Sequence, residues 1–363
     1  MITKNLDFFL DFKKTARLAR PFLSNLFSIM LDKPNNLAPL FIGWIITYKC
    51  NCRCSHCSNR YDRPLTEGMK IDDELKTDDI LRIAHEIGQT KVWGVSFTGG
   101  EPLVRDDIFE VVNVLKKYNK VVNLTTNGEF LNKYMDKIGL FDQVSVSIDS
   151  HRPEIHDYLR DNPGLFEKAL SGIENIRKKH KTKIKVKCTI SQKNILELEE
   201  FIEFWKDKAH SIVFQPAQNS PVHEIKDSGM MVDGAVLETK LKYLMKKYPF
   251  LNNNYYRYMP LFLSDPQKLI SQKIFRCFFR SSFSLFLSPD GRVQPCCGMK
   301  NHVVGNAKDE NIADIWKKAF EHQKDLRSKK SDCICWEDLT FMNLYLTAFF
   351  NFMEKVFFWK KYS

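Results

Sequence analysis

No apolar run in this chain approaches the roughly 18 residues that a spanning helix needs, so hydropathy excludes an integral membrane protein. No cleavable signal peptide is visible, and no internal repeat or low-complexity tract interrupts the chain. Acidic residues are the minority charge, 44 against 55 Lys+Arg. The resulting +11 admits a nucleic acid or an anionic membrane as partner, as readily as a mere margin of solubility. Cysteine is not scarce at 10 residues, but the spread of a disulfide framework is missing. The thiols cluster at ligand spacings, which points to metal ligation in a reducing cytoplasm rather than to a secreted, stapled fold. Core material is plentiful: 44% hydrophobic and 13% aromatic content in 363 residues suits one large α/β domain, alone or with a smaller module.

Residues 1–36 read as an N-terminal amphipathic helical extension. Phe9, Phe12, Ala16, Ala19 and Leu23 recur at three- and four-residue steps, Lys13, Lys14, Arg17 and Arg20 occupy other faces, and Pro21 divides the segment. From Leu40 the pattern changes. Apolar runs at 41–47, 92–97, 121–125, 143–148, 184–190 and 212–214 alternate with helical stretches near 77–88, 106–118, 130–138, 165–180 and 194–207. Such alternation predicts right-handed crossovers and a parallel sheet, open or curved toward a barrel, with ligands at the carboxyl ends of the strands. The polar features fall at such ends: the Cys50–Cys57 array after the first strand, Gly99-Gly100-Glu101-Pro102 after the second, Thr126-Asn127-Gly128 after the third, Ser147-Ile148-Asp149 after the fourth. Beyond Pro216 the alternation stops, and 217–275 reads as a linker or insertion with one helix at 235–247. Phe283–Leu287 and Arg292–Pro295 around Ser288-Pro289-Asp290-Gly291 predict a hairpin, in a second cysteine group that begins at Cys277.

Cys50, Cys54 and Cys57 form a C-x3-C-x2-C array. Three thiolates can hold an iron–sulfur cluster and leave one iron without a protein ligand, open to bind a small molecule. Cys52 lies two residues from both Cys50 and Cys54, and one short loop does not readily aim four sulfurs at one cluster, so it reads as a bystander. Zinc is the rival occupant of a cysteine-only array. Lys49 and Arg53 flank it and would favour thiolates. The glycine pair lets backbone approach a ligand closely, Glu101 can accept from an ammonium, and Pro102 fixes the exit. Ser147 and Asp149 share a strand face and suit ribose hydroxyls. Arg160 either faces a ligand carboxylate or pairs with Asp157 on the surface. Cys188 reads as a small buried hydrophobe.

Taken in this order, Cys50-x3-Cys54-x2-Cys57, Gly99-Gly100-Glu101-Pro102 and Cys277-x13-Gly291-x4-Cys296 resemble the radical S-adenosylmethionine (SAM) enzymes that carry a SPASM/Twitch-type extension. The resemblance covers residues 40 to 336 and implies a partial (β/α)6 TIM-like barrel with a small C-terminal cysteine-rich hairpin/helix module. Its domains would be a radical SAM core at 37–216, the linker at 217–275, the auxiliary-cluster module at 276–336 and an apolar C-terminal helix at 337–363. It implies a 4Fe-4S cluster on Cys50, Cys54 and Cys57, and SAM bound by His56, Gly99, Gly100, Glu101, Pro102, Asn127, Ser147, Asp149 and Arg160. His56 stands where the family usually has an aromatic residue beside adenine. One auxiliary 4Fe-4S cluster would sit on Cys277, Cys296, Cys333 and Cys335, with Cys297 an alternative ligand, and here the terminal pair is C-x-C where the family has C-x2-C. The implied reaction is reductive cleavage of SAM to a 5′-deoxyadenosyl radical that takes hydrogen from a substrate carbon, fed by a flavodoxin- or ferredoxin-type electron donor. The substrate that the resemblance implies is a peptide or protein side chain; the alternative is a lipid, sugar or other small metabolite at a membrane surface.

Leu339 to Met353 contains no charge, and Thr340, Asn343, Thr347 and Asn351 form one narrow polar stripe on a helix. With the Lys- and Phe-rich residues that follow, this tail either docks on the core or lies peripherally on the inner face of a membrane. A non-enzyme alternative, a zinc-binding adaptor contacting nucleic acid through Arg177-Lys178-Lys179, lacks a groove-reading helix or aromatic binding motif. No nucleic acid partner is therefore expected.

Overall fold

The computed structural model describes residues 39–57, 73–217, 228–272, 274, 284–295 and 302–319. Six strands alternate with helices in the first part: β1 (Phe41–Thr47), α1 (Thr77–Gln89), β2 (Gly94–Gly99), α2 (Ile108–Lys117), β3 (Val121–Thr126), α3 (Met135–Ile138), β4 (Gln143–Ser147), α4 (Pro153–Arg160), α5 (Leu165–Lys179), β5 (Lys183–Ile190), α6 (Leu198–Trp205) and β6 (Ser211–Pro216). All six are parallel, and neighbours in sequence are neighbours in space. The expected α/β architecture is present as an unclosed parallel sheet.

The alternation within each strand explains why the sheet has one dry face. In β1, Ile42, Trp44 and Ile46 are fully buried while Phe41, Gly43 and Ile45 are half-buried. Trp44 stacks beside Phe97 of β2, and this row packs against helical stripes such as Ile80, Ile83, Ala84 and Ile87 of α1. The opposite face carries mostly half-buried residues.

Two features were not legible in periodicity. The described residues within 217–275 hold three α-helices rather than one: α7 (Gly234–Lys247), α8 (Asn254–Ser264) and α9 (Pro266–Ser271). Pro260 inside α8 and the short span of α9 blur the helical repeat there. The expected hairpin forms as β7 (Ser284–Leu287) and β8 (Arg292–Gln294), followed by a short β9 (Gly305–Asn306). β7 also pairs in parallel with β1, which extends the main sheet to the order β6-β5-β4-β3-β2-β1-β7-β8-β9.

Among the described residues no helix is long and apolar enough to cross a membrane. The expected helices at 1–36 and 337–363 lie outside the described residues, as do Cys277, Cys296, Cys297, Cys333 and Cys335.

Candidate active site

The cysteine loop leaves the end of β1 and is locked to two other segments. Arg53 N–H donates to the Arg160 carbonyl at 3.3 Å and Ser55 N–H to the Leu159 carbonyl at 3.1 Å, so the loop rests on the last turn of α4. Cys52 and Cys54 are buried and Cys50 and Cys57 half-buried, all around Leu165. Lys49 and Arg53 stand exposed, and the cation that reaches a thiol is instead Arg160, whose Nη1 lies 3.7 Å from Cys54 Sγ.

The glycine pair has a reason that periodicity could not show. Gly99 has φ of +135°, and a Cβ there would stand 2.3 Å from the Thr47 carbonyl oxygen; on Gly100 it would meet the Lys49 carbonyl oxygen at 2.2 Å. The backbone these glycines admit is thus the start of the cysteine loop itself. Gly100 N–H donates to the Thr47 carbonyl at 2.9 Å and Glu101 N–H to the Lys49 carbonyl at 2.8 Å, zipping the two motifs together. Pro102 then opens a short 3-10 turn, and Leu103 N–H donates to Glu101 Oε1.

Glu101 is completely buried and accepts from Thr126 Oγ1 at 2.8 Å, Leu103 N–H at 3.1 Å and Asn127 N–H at 2.7 Å. Burial outweighs these donors and pushes its carboxyl from 4.5 up to about 7. Over the range from 4.5 to about 7, the folded chain therefore holds a proton that the unfolded chain has released. Glu101 is then expected to reduce stability as pH rises through that window, by on the order of 3 kcal/mol in the ligand-free chain. Urea midpoints taken at steps between about pH 5 and pH 8 should fall for the parent and fall less for Glu101→Gln; equal slopes would contradict it.

Asn127 ties the third strand end to the cysteine loop: its Nδ2 donates to Asn51 Oδ1 at 2.8 Å and lies 3.2 Å from Cys52 Sγ. Asn162 Nδ2 approaches the same sulfur at 3.4 Å. The hydrogen bond with the neighbouring Cys50, and after it burial, push the Cys52 thiol up to about 12, although Cys54 and the Asn162 amide pull the other way.

Asp149 and Arg160 form the charged heart of the rim. Arg160 Nε is 2.7 Å from Asp149 Oδ2, and His56 Nε2 is 3.6 Å from the same oxygen. Asp149 Oδ1 accepts from Thr189 N–H at 3.0 Å. Burial alone would raise the Asp149 carboxyl, but Arg160, His56 and His156 overcome it and hold it at about 2. The sequence alternatives for Arg160 thus resolve toward the interior, since Asp157 instead accepts from Gly164 and Phe166 N–H groups. Asp149, expected at ribose, is held inside this ion cluster, while Ser147 stands half-buried on the open sheet face.

His156 and Asn162 carried no motif signal and were missed as participants. His156 is fully buried, its Nδ1 accepts from Asp149 N–H at 3.1 Å, and burial together with Arg160 holds it neutral with its pKa near about 3. A polar pair seven residues apart across a strand-to-helix turn is the one cue, visible only after the turn is built.

The donor set fits an iron–sulfur cluster with a polar ligand beside it. Soft thiol ligands are what such clusters take. Among the described residues no three Cys, His, Asp or Glu side chains converge as a single metal ion would require, whereas cluster thiolates bind separate irons. His156 Nε2 is buried with no hydrogen-bond partner among the described residues, the condition a polar ligand would relieve.

Comparisons with known proteins agree. Residues 44–204 match the radical SAM superfamily and residues 277–337 the SPASM iron–sulfur cluster-binding domain. The AdoMet-dependent heme synthase of Methanosarcina barkeri is 29% identical over 323 residues, covering 82% of this chain and 88% of that protein. The mycofactocin maturase MftC of Mycolicibacterium smegmatis is 30% identical over 167 residues, 45% of this chain and 41% of MftC. Among solved structures, Streptococcus suis SuiB bound to its precursor peptide SuiA superposes with a TM-score of 0.62 at 15% identity, covering 84% of this chain and 70% of SuiB, a likeness of fold. The first domain brings a 4Fe-4S cluster with SAM, and the second brings auxiliary iron–sulfur chemistry. An enzyme of the radical SAM superfamily, extended by a SPASM domain, is what this chain is.

Proposed function

We propose that this enzyme removes hydrogen from a carbon of a peptide side chain, with Cys50, Cys54 and Cys57 holding the cluster at the rim. When bound, the cluster supplies the electron that splits SAM into methionine and the 5′-deoxyadenosyl radical that takes the hydrogen. The observation that carries this reading is the zipping of the cysteine loop to Gly100 and Glu101, which binds cluster loop and ligand loop into one rigid rim. Glu101, completely buried with its carboxyl pushed up to about 7, can lose its proton and accept from an ammonium. Arg160 offers its guanidinium to a carboxylate while it keeps Asp149 ionised, and His56 lies close enough to both to flank the same ligand. Asn127 steadies the loop from the third strand, and Ser147 is placed for a hydroxyl contact.

Cys277, Cys296, Cys333 and Cys335 are proposed to hold one auxiliary cluster that relays electrons, and an external flavodoxin- or ferredoxin-type protein to supply them. SuiB, solved with a precursor peptide, supports a peptide substrate. A match over 323 residues, to a heme synthase, favours a small metabolite as the second reading. Anaerobically reconstituted enzyme with dithionite should convert SAM to 5′-deoxyadenosine. No 5′-deoxyadenosine at full iron loading would overturn the proposal.

A further inference from the structure

Resting on that reading of the rim, we infer that Glu74 is a positioning residue for the SAM reaction, its carboxylate fixing the root from which the cysteine loop springs. The root is Thr47-Tyr48-Lys49, between the end of β1 and Cys50. Glu74 lies in the short segment before α1, and no motif marks it: it falls between the cysteine array and the glycine pair and belongs to neither. Its Oε1 accepts from Tyr48 N–H at 2.7 Å, and the Thr47 hydroxyl donates to the same carboxylate, 3.0 Å from each oxygen. Thr47 Oγ1 in turn accepts from Lys49 N–H at 3.1 Å. One carboxylate therefore fixes two consecutive amides, the first directly and the second through a hydroxyl. The carbonyls of Thr47 and Lys49 are held from the other side by the N–H groups of Gly100 and Glu101, so the root is bracketed between Glu74 and the glycine motif. Thr47 and Tyr48 are buried, and an acceptor lost there is not readily replaced by solvent.

Glu74 serves as an anchor because its own segment is tied down from two directions. Leu75 N–H donates to the Pro289 carbonyl at 2.7 Å, in the turn between β7 and β8, within the region that matches the SPASM domain. Arg105 Nη1 donates to the Leu75 carbonyl at 3.1 Å and to the Ile46 carbonyl at 3.3 Å, while its Nε and Nη2 each donate to Asp107 at 2.8 Å. Thr77 Oγ1 donates to the same aspartate at 2.7 Å. Residues 74–77 are thereby joined to the end of β1, to the turn that opens α2 and to the hairpin turn of the second domain. Glu74 is where these ties reach the cysteine loop. The loop carries the cluster ligands, whereas Glu101 and Arg160, proposed to meet the amino and carboxylate groups of SAM, stand on other elements. Both sets of contacts must be met at once, so a loop free to shift at its root loses that geometry without losing its thiols.

Three variants of the full-length reconstituted enzyme separate reach from charge. Glu74→Gln keeps an oxygen for the Tyr48 amide, Glu74→Asp keeps the charge but is one methylene short, and Glu74→Ala keeps neither. The readouts are 5′-deoxyadenosine formation at saturating SAM, normalised to bound iron, and amide hydrogen exchange at Tyr48 and Lys49 by mass spectrometry. Glu74→Gln should retain at least about half of the parent rate, whereas Glu74→Asp and Glu74→Ala should lose about 10- to 100-fold. In those two variants the root amides should exchange at least about tenfold faster than in the parent. A residue serving stability alone would lower the urea midpoint and the iron content but leave the rate per bound iron unchanged. That result, or Glu74→Asp outperforming Glu74→Gln, would overturn the inference. If Glu74→Ala does not fold, Glu74→Asp carries the comparison. Should the parent itself form no 5′-deoxyadenosine, the radical reading falls and exchange alone decides: parent-like protection in Glu74→Asp would show that Glu74 does not hold the root.

Discussion

Cys54→Ala should fold yet lose about four irons per chain on reconstitution, and its 5′-deoxyadenosine formation should fall by more than about 100-fold, the upper end of what losing even an outer-shell partner costs. Cys52→Ala, two residues away, should keep its iron and most of its activity. The contrast follows from the surroundings of the two sulfurs. Cys54 is the thiol that Arg160 Nη1 approaches at 3.7 Å, on the side of the ion cluster. Cys52 instead lies within reach of the amides of Asn127 and Asn162. Losing Cys52 removes a small buried group and should cost about 1–2 kcal/mol of stability without removing a ligand. Iron and sulfide analysis of both variants, alongside SAM turnover, is the measurement. Equal iron content in the two would reverse the ligand assignment.

Arg160→Met should be the most destabilising single change at the rim, by about 3–5 kcal/mol, because it leaves the Asp149 carboxylate buried without its main counter-charge. Asp149 has no exposure to solvent, and another basic side chain near it, that of His56, stands 3.6 Å away. In the parent chain, Asp149 contributes stability that is present above about 3.8 and lost as pH falls toward about 2. Without Arg160 that advantage disappears and the carboxyl rises, so the variant should gain relative stability on acidification where the parent does not. Denaturant unfolding of parent and variant at about pH 5 and pH 7.5 separates the cases. A loss under about 1 kcal/mol would show that the pair is not the buried charge balance described. Adding Asp149→Leu to Arg160→Met should recover part of the loss, since a buried pair is replaced more cheaply than broken.

The strand and helix order was legible because β1 to β6 each announce themselves as apolar runs between helical stretches, and their carboxyl ends bring four polar motifs to one rim. Pairing partners outside that alternation were not, which is why β7 beside β1 came only from the fold. Individual motif residues were legible by type and spacing, but their partners were not. Gly99 and Gly100 read as making room for a ligand, and the room is taken by the carbonyls of Thr47 and Lys49. Arg160 left two partners open because Asp157 is near in sequence and Asp149 only in space. His156 and Asn162 belong to no motif, and their roles exist only once α4 turns back onto the cysteine loop.

The place of β7 on the free edge of β1 also sets an order of events during synthesis. The strand that delivers the cysteine loop lies near the front of the chain, while its second neighbour emerges about 240 residues later, a delay of roughly 10 to 50 s at ordinary translation rates. During that interval one edge of β1 has unpaired backbone groups, a site for mispairing until β7 arrives. Nascent chains arrested before residue 284 should accordingly bind holdase chaperones or self-associate more than chains arrested after residue 294.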